Sequence, residues 1–274
     1  MSLSVFDFEY VTQLLLEKAA IRVNASQEYL VKSRLEPLAK QSGLTDLSAL
    51  VDQLRKQPYG ELHKKVIEAM TTNETSFFRD VHPFETLKQM ILPELLKRKT
   101  DRTLRVWSAA CSTGQEAYSL AMMLSDMPAL TGYRIQILAS DLARGTLDKA
   151  QQGIYSSLEV GRGLPARALA QHFDRVGTSF QVKSNLRSVI EWKQLNLATR
   201  LPPLPVFDVV FIRNVLIYFA PQTAESVLQA VRGCMHAHGV LFLGTTENML
   251  GLNTGFESVT SGKTIYYRPQ TGRR

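Results

Sequence analysis

The chain has 274 residues, 45% of them hydrophobic, which is enough for one large domain or two smaller ones with buried cores. Its two cysteines do not support a disulfide framework, and no apolar run approaches the ~18 residues of a membrane span. The amino terminus lacks the basic start of a signal peptide, so we expect a cytoplasmic protein. The net charge of +7 favours an acidic partner, namely nucleic acid, anionic lipid or an acidic protein, although solubility alone could account for it.

Residues 1–82 are predicted to form a helical domain followed by a connector. Phe8, Val11 and Leu15 recur at helical spacing, and comparable apolar patterns follow them along the chain. The polar run at 71–76 is a poor helix interior, because short polar side chains compete for the backbone hydrogen bonds. We therefore predict an ordered connector there.

From residue 83 onward, helical and strand patterns alternate along the chain. Such alternation predicts a mostly parallel sheet that is covered by helices on both faces, here with a closing hairpin at 256–267. We predict an α/β domain over residues 83–274. Its expected helices are 83–97, 115–126, 142–151 and 222–235, and its expected strands are 104–109, 134–140, 207–212 and 240–243.

The stretch at about 154–190 interrupts this alternation. It carries a short helical pattern near 165–171 and strand patterns at 177–182 and 186–190. We therefore predict a small antiparallel β subdomain that is inserted into the α/β domain.

The loop after the first predicted strand carries a signal for a cofactor. Its sequence, Ala109-Ala-Cys-Ser-Thr-Gly114, has one glycine, whereas dinucleotide oxidoreductases use three to approach a pyrophosphate. A loop of small residues suits a nucleoside without phosphates, and S-adenosylmethionine is the commonest such cofactor. Asp141 ends the second strand, where ribose hydroxyls are bound in α/β proteins. An ordinary strand-to-helix turn is the alternative interpretation.

Two further segments place polar residues where a ligand could lie. Arg213 and Asn214 follow the strand at 207–212, and polar groups beside a buried strand are costly unless they have partners. A core strand with a capping asparagine would also fit. The connector ends in Phe77-Phe-Arg79, which could line the roof of a cleft or form a packed hinge.

Together these segments resemble the CheR family, bacterial chemotaxis methyltransferases that esterify glutamates on chemoreceptors. The likeness covers nearly the whole chain: a helical domain, a T-x-N-x-T-x-F-F-R connector, an S-A-A-x-S-T-G-x-E loop, an inserted β subdomain and an F-D-x-x-F-x-R-N-V-x-I-Y-F segment. The resemblance implies an α/β, Rossmann-like class I methyltransferase with a mostly parallel sheet and an all-α amino-terminal domain. It implies S-adenosylmethionine as cofactor and S-adenosylhomocysteine as product.

The resemblance also implies site residues and partners. Arg79 and Tyr218 would be catalytic and face the reacting centre. The partners would be cytoplasmic chemoreceptor domains, which present an acidic helical substrate, and regulatory signalling proteins, with a monomeric enzyme, no nucleic acid and no membrane insertion. The cofactor would be contacted by Asn73, Thr75, Arg79, Glu116, Asp141, Asn196, Leu197, Arg213 and Asn214.

The chain departs from the family pattern at two places. The family's G-E-E-P-Y-S reads Gly114-Gln-Glu-Ala-Tyr-Ser119 here, which keeps Glu116. The family's G-H-S-E-N reads Gly244-Thr-Thr-Glu-Asn248, so Thr245 replaces a histidine and is assigned no role. Whether the β subdomain tethers a receptor peptide is left open.

The residues fit the implied chemistry. A glutamate side chain, with a pKa of about 4.3, is already ionised at neutral pH, so it needs no general base. We expect Arg79 to orient and neutralise this carboxylate, because a guanidinium can bind it bidentately. The five histidines form no convincing metal set. The alternatives are a nucleic-acid methyltransferase, suggested by the basic charge, and a non-enzymatic adaptor that keeps only the fold.

Overall fold

The computed structural model describes residues 3–270 and divides into two compact units. The helical unit contains the chain up to Thr72 together with Tyr218–Ala224. The sheet unit contains Asn73–Ile217 and the chain from Glu225 onward. The boundary that the sequence suggests after residue 82 stays a prediction.

The helical unit confirms the all-α character predicted for the amino-terminal part. Ser4 caps its first helix, since its Oγ accepts a hydrogen bond from the Asp7 amide at 3.1 Å. The core is apolar and includes the fully buried Leu15 and Leu35. The helices are α1 (Val5–Ala19), α2 (Glu28–Gln41), α3 (Leu47–Lys56) and α4 (Glu61–Met70), with a 3-10 turn at Ala25–Gln27.

The strands of the sheet unit follow the predicted order closely. They are β1 (Thr103–Ala109), β2 (Arg134–Asp141), β3 (Ile154–Ser156), β4 (Phe173–Val176), β5 (Ser179–Val182), β6 (Ile190–Gln194), β7 (Phe207–Ile212), β8 (Met235–Leu243), β9 (Phe256–Ser261) and β10 (Thr264–Pro269).

Helices connect most of these strands, as the alternating pattern predicts. The remaining helices are α5 (His82–Thr86), α6 (Leu92–Arg98), α7 (Gln115–Ser125), α8 (Arg144–Gln152), α9 (Ser157–Gly161), α10 (Ala166–His172), α11 (Ser184–Arg187) and α12 (Pro221–Gly233). A π-helical turn at Leu87–Ile91 joins α5 to α6, so the predicted helix at 83–97 is present with one widened turn. Short 3-10 turns occupy Pro128–Leu130 and Leu216–Tyr218.

Within residues 3–270, the main sheet has seven strands in the order β6-β2-β1-β7-β8-β10-β9. The first five in this order run parallel, and β10 is antiparallel to both of its neighbours. The predicted mostly parallel sheet with a closing hairpin is confirmed. The chain passes from β1 to β2 on one side and later returns to β7 on the other. The carboxyl ends of β1 and β7 therefore flank a topological switch point, where open α/β sheets bind ligands.

The inserted subdomain is confirmed as a small antiparallel sheet in the order β3-β5-β4. The predicted strand at 186–190 is wrong. Residues Ser184–Arg187 form the single-turn helix α11, in which Leu186 is buried and Ser188 Oγ donates to the Asn185 carbonyl at 3.0 Å. The strand begins only at Ile190, and it joins the main sheet beside β2.

Aromatic contacts fasten helices to the main sheet. Phe84 of α5 packs on Phe211 of β7 with ring centroids 5.6 Å apart, and Tyr118 of α7 packs on Trp192 of β6 at 5.5 Å. None of the helices within residues 3–270 is long and apolar enough to span a membrane.

Candidate active site

The loop between β1 and α7 turns sharply at the carboxyl edge of the sheet. Ala110, Ser112 and Gly114 all have left-handed backbone conformations, with φ of 56°, 52° and 93°. A Cβ on Gly114 would lie 2.9 Å from the Cβ of Ala150 and 3.0 Å from the Trp192 ring. The single glycine of this loop is therefore required both by its conformation and by the close packing around it.

Asp141 connects the loops that follow three neighbouring strands. Its carboxylate accepts hydrogen bonds from the amides of Ser112 at 2.8 Å and Ala143 at 3.0 Å, and its carbonyl accepts one from the Leu195 amide at 2.9 Å. These bonds hold the Asp141 carboxylate at the carboxyl end of β2, the edge at which open α/β sheets bind ligands. The Leu195 contact brings the following residues, Asn196 and Leu197, to the same edge as Asp141.

Glu116 and Arg213 form a buried ion pair between α7 and the end of β7. Arg213 Nη1 donates to Glu116 Oε2 at 3.1 Å, and Ser108 Oγ donates to Glu116 Oε1 at 2.8 Å. The guanidinium also lies over the Phe84 ring, 5.9 Å from its centroid. Burial raises the pKa of Glu116, while Arg213 and the Ser108 hydroxyl act in the opposite direction.

Arg213 also reaches back to the connector. Its Nη2 donates to the Arg79 carbonyl at 3.0 Å and to Asp80 Oδ2 at 2.5 Å. One side chain thus joins the end of β7 to α7 and to the turn that carries Arg79. Three acceptors thus bind the two Nη atoms of a charge that would be very costly to bury without partners, while the buried Nε has no partner within residues 3–270.

The connector lies along this edge through backbone contacts. The Asn73 carbonyl accepts from Ser112 Oγ at 2.9 Å, and the Phe78 amide donates to Ser119 Oγ of α7 at 2.9 Å. Arg79 is partly exposed, and its Nη1 donates to the Glu74 carbonyl at 2.9 Å. The structure therefore places the predicted Asn73 and Arg79 in the segment that borders the cofactor loop, with Thr75 between them.

Glu247 fixes the loops after β7 and β8. Its carboxylate accepts hydrogen bonds from the backbone amides of Asn214, Val215, Leu216, Ile217 and Gly244 at 2.7–3.3 Å. Asn214 has φ of 60°, so this set of donors holds it in a left-handed conformation. Its Oδ1 is buried and has no hydrogen-bond partner within residues 3–270.

Tyr218 lies at the end of the 3-10 turn that follows Asn214, and its side chain is 36% exposed. The segment Tyr218–Ala224 groups with the helical unit. Its predicted catalytic role stays a prediction.

Sequence reasoning missed three residues of this edge: Asp80, Thr245 and Glu247. Asp80 directly follows the connector motif. Thr245 and Glu247 lie within Gly244–Asn248, the segment in which the sequence departs from the family's G-H-S-E-N motif. A polar residue next to a motif is the only signal that could have indicated them, because their partners are distant in the chain.

The strand order, with a single-glycine loop at the carboxyl edge of the sheet, defines a Rossmann-like α/β domain, and the comparisons identify it as a methyltransferase. Residues 73–265 match the model of the CheR methyltransferase SAM-binding domain, and residues 7–71 match the CheR methyltransferase all-alpha domain. The chain belongs to the CheR methyltransferase family. S-adenosylmethionine is accordingly its cofactor.

Individual relatives agree with this assignment over nearly their full lengths. The chain is 40% identical over 273 residues to chemotaxis protein methyltransferase 1 of Pseudomonas aeruginosa, covering 98% of this chain and 99% of that protein. It is 38% identical over 273 residues to chemotaxis protein methyltransferase Cher2 of Pseudomonas putida, with the same coverage. Among solved structures, PKMT2 from Rickettsia typhi in complex with AdoHcy matches at 13% identity and a TM-score of 0.38, covering 63% of this chain and 26% of that chain.

The residues present fit this cofactor. Among the described residues, none donates to the buried acceptor Asn214 Oδ1, and S-adenosylmethionine carries an ammonium group and hydroxyls that donate. Asp141 places a buried carboxylate at the carboxyl edge of the sheet. The chain is thus a chemotaxis methyltransferase with an S-adenosylmethionine-binding domain.

Proposed function

We propose that this enzyme transfers the methyl group of S-adenosylmethionine to glutamate side chains of methyl-accepting chemotaxis receptors. The products would be glutamate methyl esters, which serve sensory adaptation, and S-adenosylhomocysteine. The family membership supports this protein-glutamate O-methyltransferase activity, as do relatives named chemotaxis protein methyltransferases. The observation that carries the acceptor assignment is the guanidinium of Arg79, which is partly exposed on a turn anchored beside the cofactor loop.

We propose that nine residues contact the cofactor. Asp141 supplies acceptors at the end of β2 and Glu116 in the first turn of α7, and the loops after β6 and β7 contribute their backbone and amide groups. The connector adds groups from the opposite end of the sequence. The full set is Asn73, Thr75, Arg79, Glu116, Asp141, Asn196, Leu197, Arg213 and Asn214.

The bound cofactor supplies a sulfonium methyl group that is open to in-line displacement. The acceptor carboxylate is already ionised, so the chain's task is to align it and to exclude water, and alignment of this kind can supply about 7 kcal/mol or more. Arg79 has five N–H donors, one of which bonds to the Glu74 carbonyl. We propose that the remaining N–H donors of Arg79 bind the acceptor carboxylate. Tyr218 would contribute a hydroxyl contact to the carboxylate, or its ring would face the sulfonium.

The charge of the chain is consistent with these partners. A net charge of +7 favours association with an acidic receptor helix through long-range attraction. We propose a monomeric enzyme that acts in the cytoplasm on receptor cytoplasmic domains, under the control of regulatory signalling proteins.

The proposal is tested by transfer of labelled methyl groups to receptor-enriched membranes. We expect the label to enter receptor protein and to be released as methanol by mild base, because methyl esters hydrolyse under these conditions. Receptors whose candidate glutamates are replaced by alanine are the matched control and should remain unlabelled. Label that resists base, or that enters added DNA instead, would contradict the proposal.

A further inference from the structure

The turn that carries Arg79 has a strained backbone. Phe78, Asp80 and Val81 adopt left-handed φ values of 48°, 69° and 52°. Such values are unfavourable for residues with a Cβ, and most of all for a β-branched valine. A backbone of this kind persists only where its surroundings hold it, and it is concentrated at functional sites.

Short-range hydrogen bonds account for part of the restraint. The Val81 amide donates to the Phe78 carbonyl at 2.8 Å, and the His82 amide donates to the Asp80 carbonyl at 2.5 Å. These bonds close the turn on itself. They do not fix where it lies relative to the sheet.

The Phe78 amide and the Arg79 carbonyl connect the turn to Ser119 and Arg213, and the Asp80 carboxylate adds a third connection. Its Oδ2 accepts from Arg213 Nη2 at 2.5 Å and from Thr245 Oγ1 at 2.9 Å. Arg213 follows β7 and Thr245 follows β8, so a single oxygen ties the turn to the ends of two adjacent strands. The Glu247 carboxylate in turn bonds to amides on both loops, which gives Thr245 and Arg213 a fixed relative position.

Thr245 is exposed, and its hydroxyl donates the hydrogen bond that links the loop after β8 to the Asp80 carboxylate. We propose that Asp80 and Thr245 are positioning residues, in which the Thr245 hydroxyl acts through the Asp80 carboxylate to hold the Phe78–Val81 turn and so to place Arg79. The inference rests on the proposed role of Arg79. The first readout of the experiment below is the hydrogen exchange of backbone amides. This readout depends neither on the role of Arg79 nor on the identity of the methyl acceptor.

The experiment compares Thr245→Val, which keeps the shape but loses the hydroxyl, with Thr245→Ser, which keeps the hydroxyl. Thr246→Val, at the neighbouring exposed threonine, is the matched control. In the full chain, we expect Thr245→Val to raise hydrogen exchange in peptides covering residues 77–82, while exchange in β1 and the unfolding midpoint stay unchanged. Thr245→Ser and Thr246→Val should both resemble the wild type.

Turnover is the second readout. We expect Thr245→Val to lower kcat about three- to tenfold with little change in the KM for S-adenosylmethionine, because a hydrogen bond to a charged group is lost at a residue outside the proposed set of cofactor contacts. In an Asp80→Ala background, Thr245→Val should have no further effect, since the partner is already absent.

Three results would overturn the proposal. They are equal exchange in the Val and Ser variants, additive effects of Asp80→Ala and Thr245→Val, and normal turnover in Thr245→Val when Arg79→Ala is impaired. The last result would leave the proposed function intact. Normal turnover in Arg79→Ala itself would instead reject the role assigned to Arg79.

Discussion

Arg213 Nη1 lies 3.1 Å from Oε2 of Glu116, and both side chains are buried at the carboxyl edge of the sheet. These residues are far apart in sequence and meet because β1 and β7 are adjacent strands. A buried pair of this kind contributes little net stability when intact, yet removal of one partner leaves an uncompensated charge.

The first prediction concerns this pair. Arg213→Met should lower the free energy of unfolding by about 3–5 kcal/mol, because it leaves Glu116 and Asp80 without their common cation. Urea unfolding measures this change. The double variant with Glu116→Gln should recover part of the loss, and strictly additive effects would contradict the coupling.

The second prediction concerns Glu247. Glu247→Gln keeps the shape but replaces one acceptor oxygen by an NH₂ group that faces backbone donors, so we expect a loss of about 1.5–3 kcal/mol in unfolding free energy. Affinity for S-adenosylhomocysteine, measured by calorimetry, should fall as the Asn214 loop loosens. Glu257→Gln, on the exposed face of β9, is the control and should change neither quantity.

A third prediction compares two glycines with positive φ. Gly177→Ala meets no atom within 4 Å and should cost about 1 kcal/mol of stability from its φ of 59° alone. Gly114→Ala adds an overlap with Ala150 and Trp192 and should cost about 3 kcal/mol, with weaker cofactor binding. Equal effects of the two substitutions on thermal unfolding and on cofactor affinity would show that the packing around Gly114 is unimportant.

The fourth prediction concerns Arg79. Arg79→Ala should reduce methyl transfer on the order of a hundredfold or more, because the acceptor carboxylate loses the group assigned to its alignment. Initial rates at saturating cofactor measure the effect. Arg144→Ala, which removes an exposed ion pair with Asp148, should leave the rate unchanged, and a near-normal rate in Arg79→Ala would reject its role.

The fifth prediction is a pH dependence in the inserted subdomain. Burial alone would raise the pKa of Glu159, but Lys149 and the amide and hydroxyl of Ser156 lower it below its ordinary value of 4.5. The stabilisation is therefore present above pH 4.5 and is lost as the pH falls through the lower folded-state pKa.

Glu159→Gln should thus be less stable than the wild type at pH 7, by about 1 kcal/mol or less. The difference should shrink as the pH falls below 4.5, which urea unfolding across the acidic range can measure. A constant difference at all pH values would show that the charge of Glu159 is not what stabilises this helix start.

Much of the fold of this protein could be predicted from the sequence alone. The alternation of helix and strand patterns, the single-glycine loop and the acid at the end of β2 predicted a parallel sheet with a nucleoside-binding edge, and the structure confirms the sheet. These features are local: each follows from residues that are neighbours in the chain and from the periodicity of their apolar side chains. The motif segments likewise indicated the family that the comparisons establish.

Only the tertiary structure decided which polar groups meet at that edge. The sequence assigned no role to Thr245 and did not single out Asp80 or Glu247, and it placed a strand at 186–190 where a helical turn lies. Thr245 and Asp80 come within 2.9 Å of each other because the strand order sets the loop after β8 beside the end of β7, to which Arg213 ties the connector. Local propensity carries no information about such contacts, since they depend on which strands become neighbours in the folded sheet.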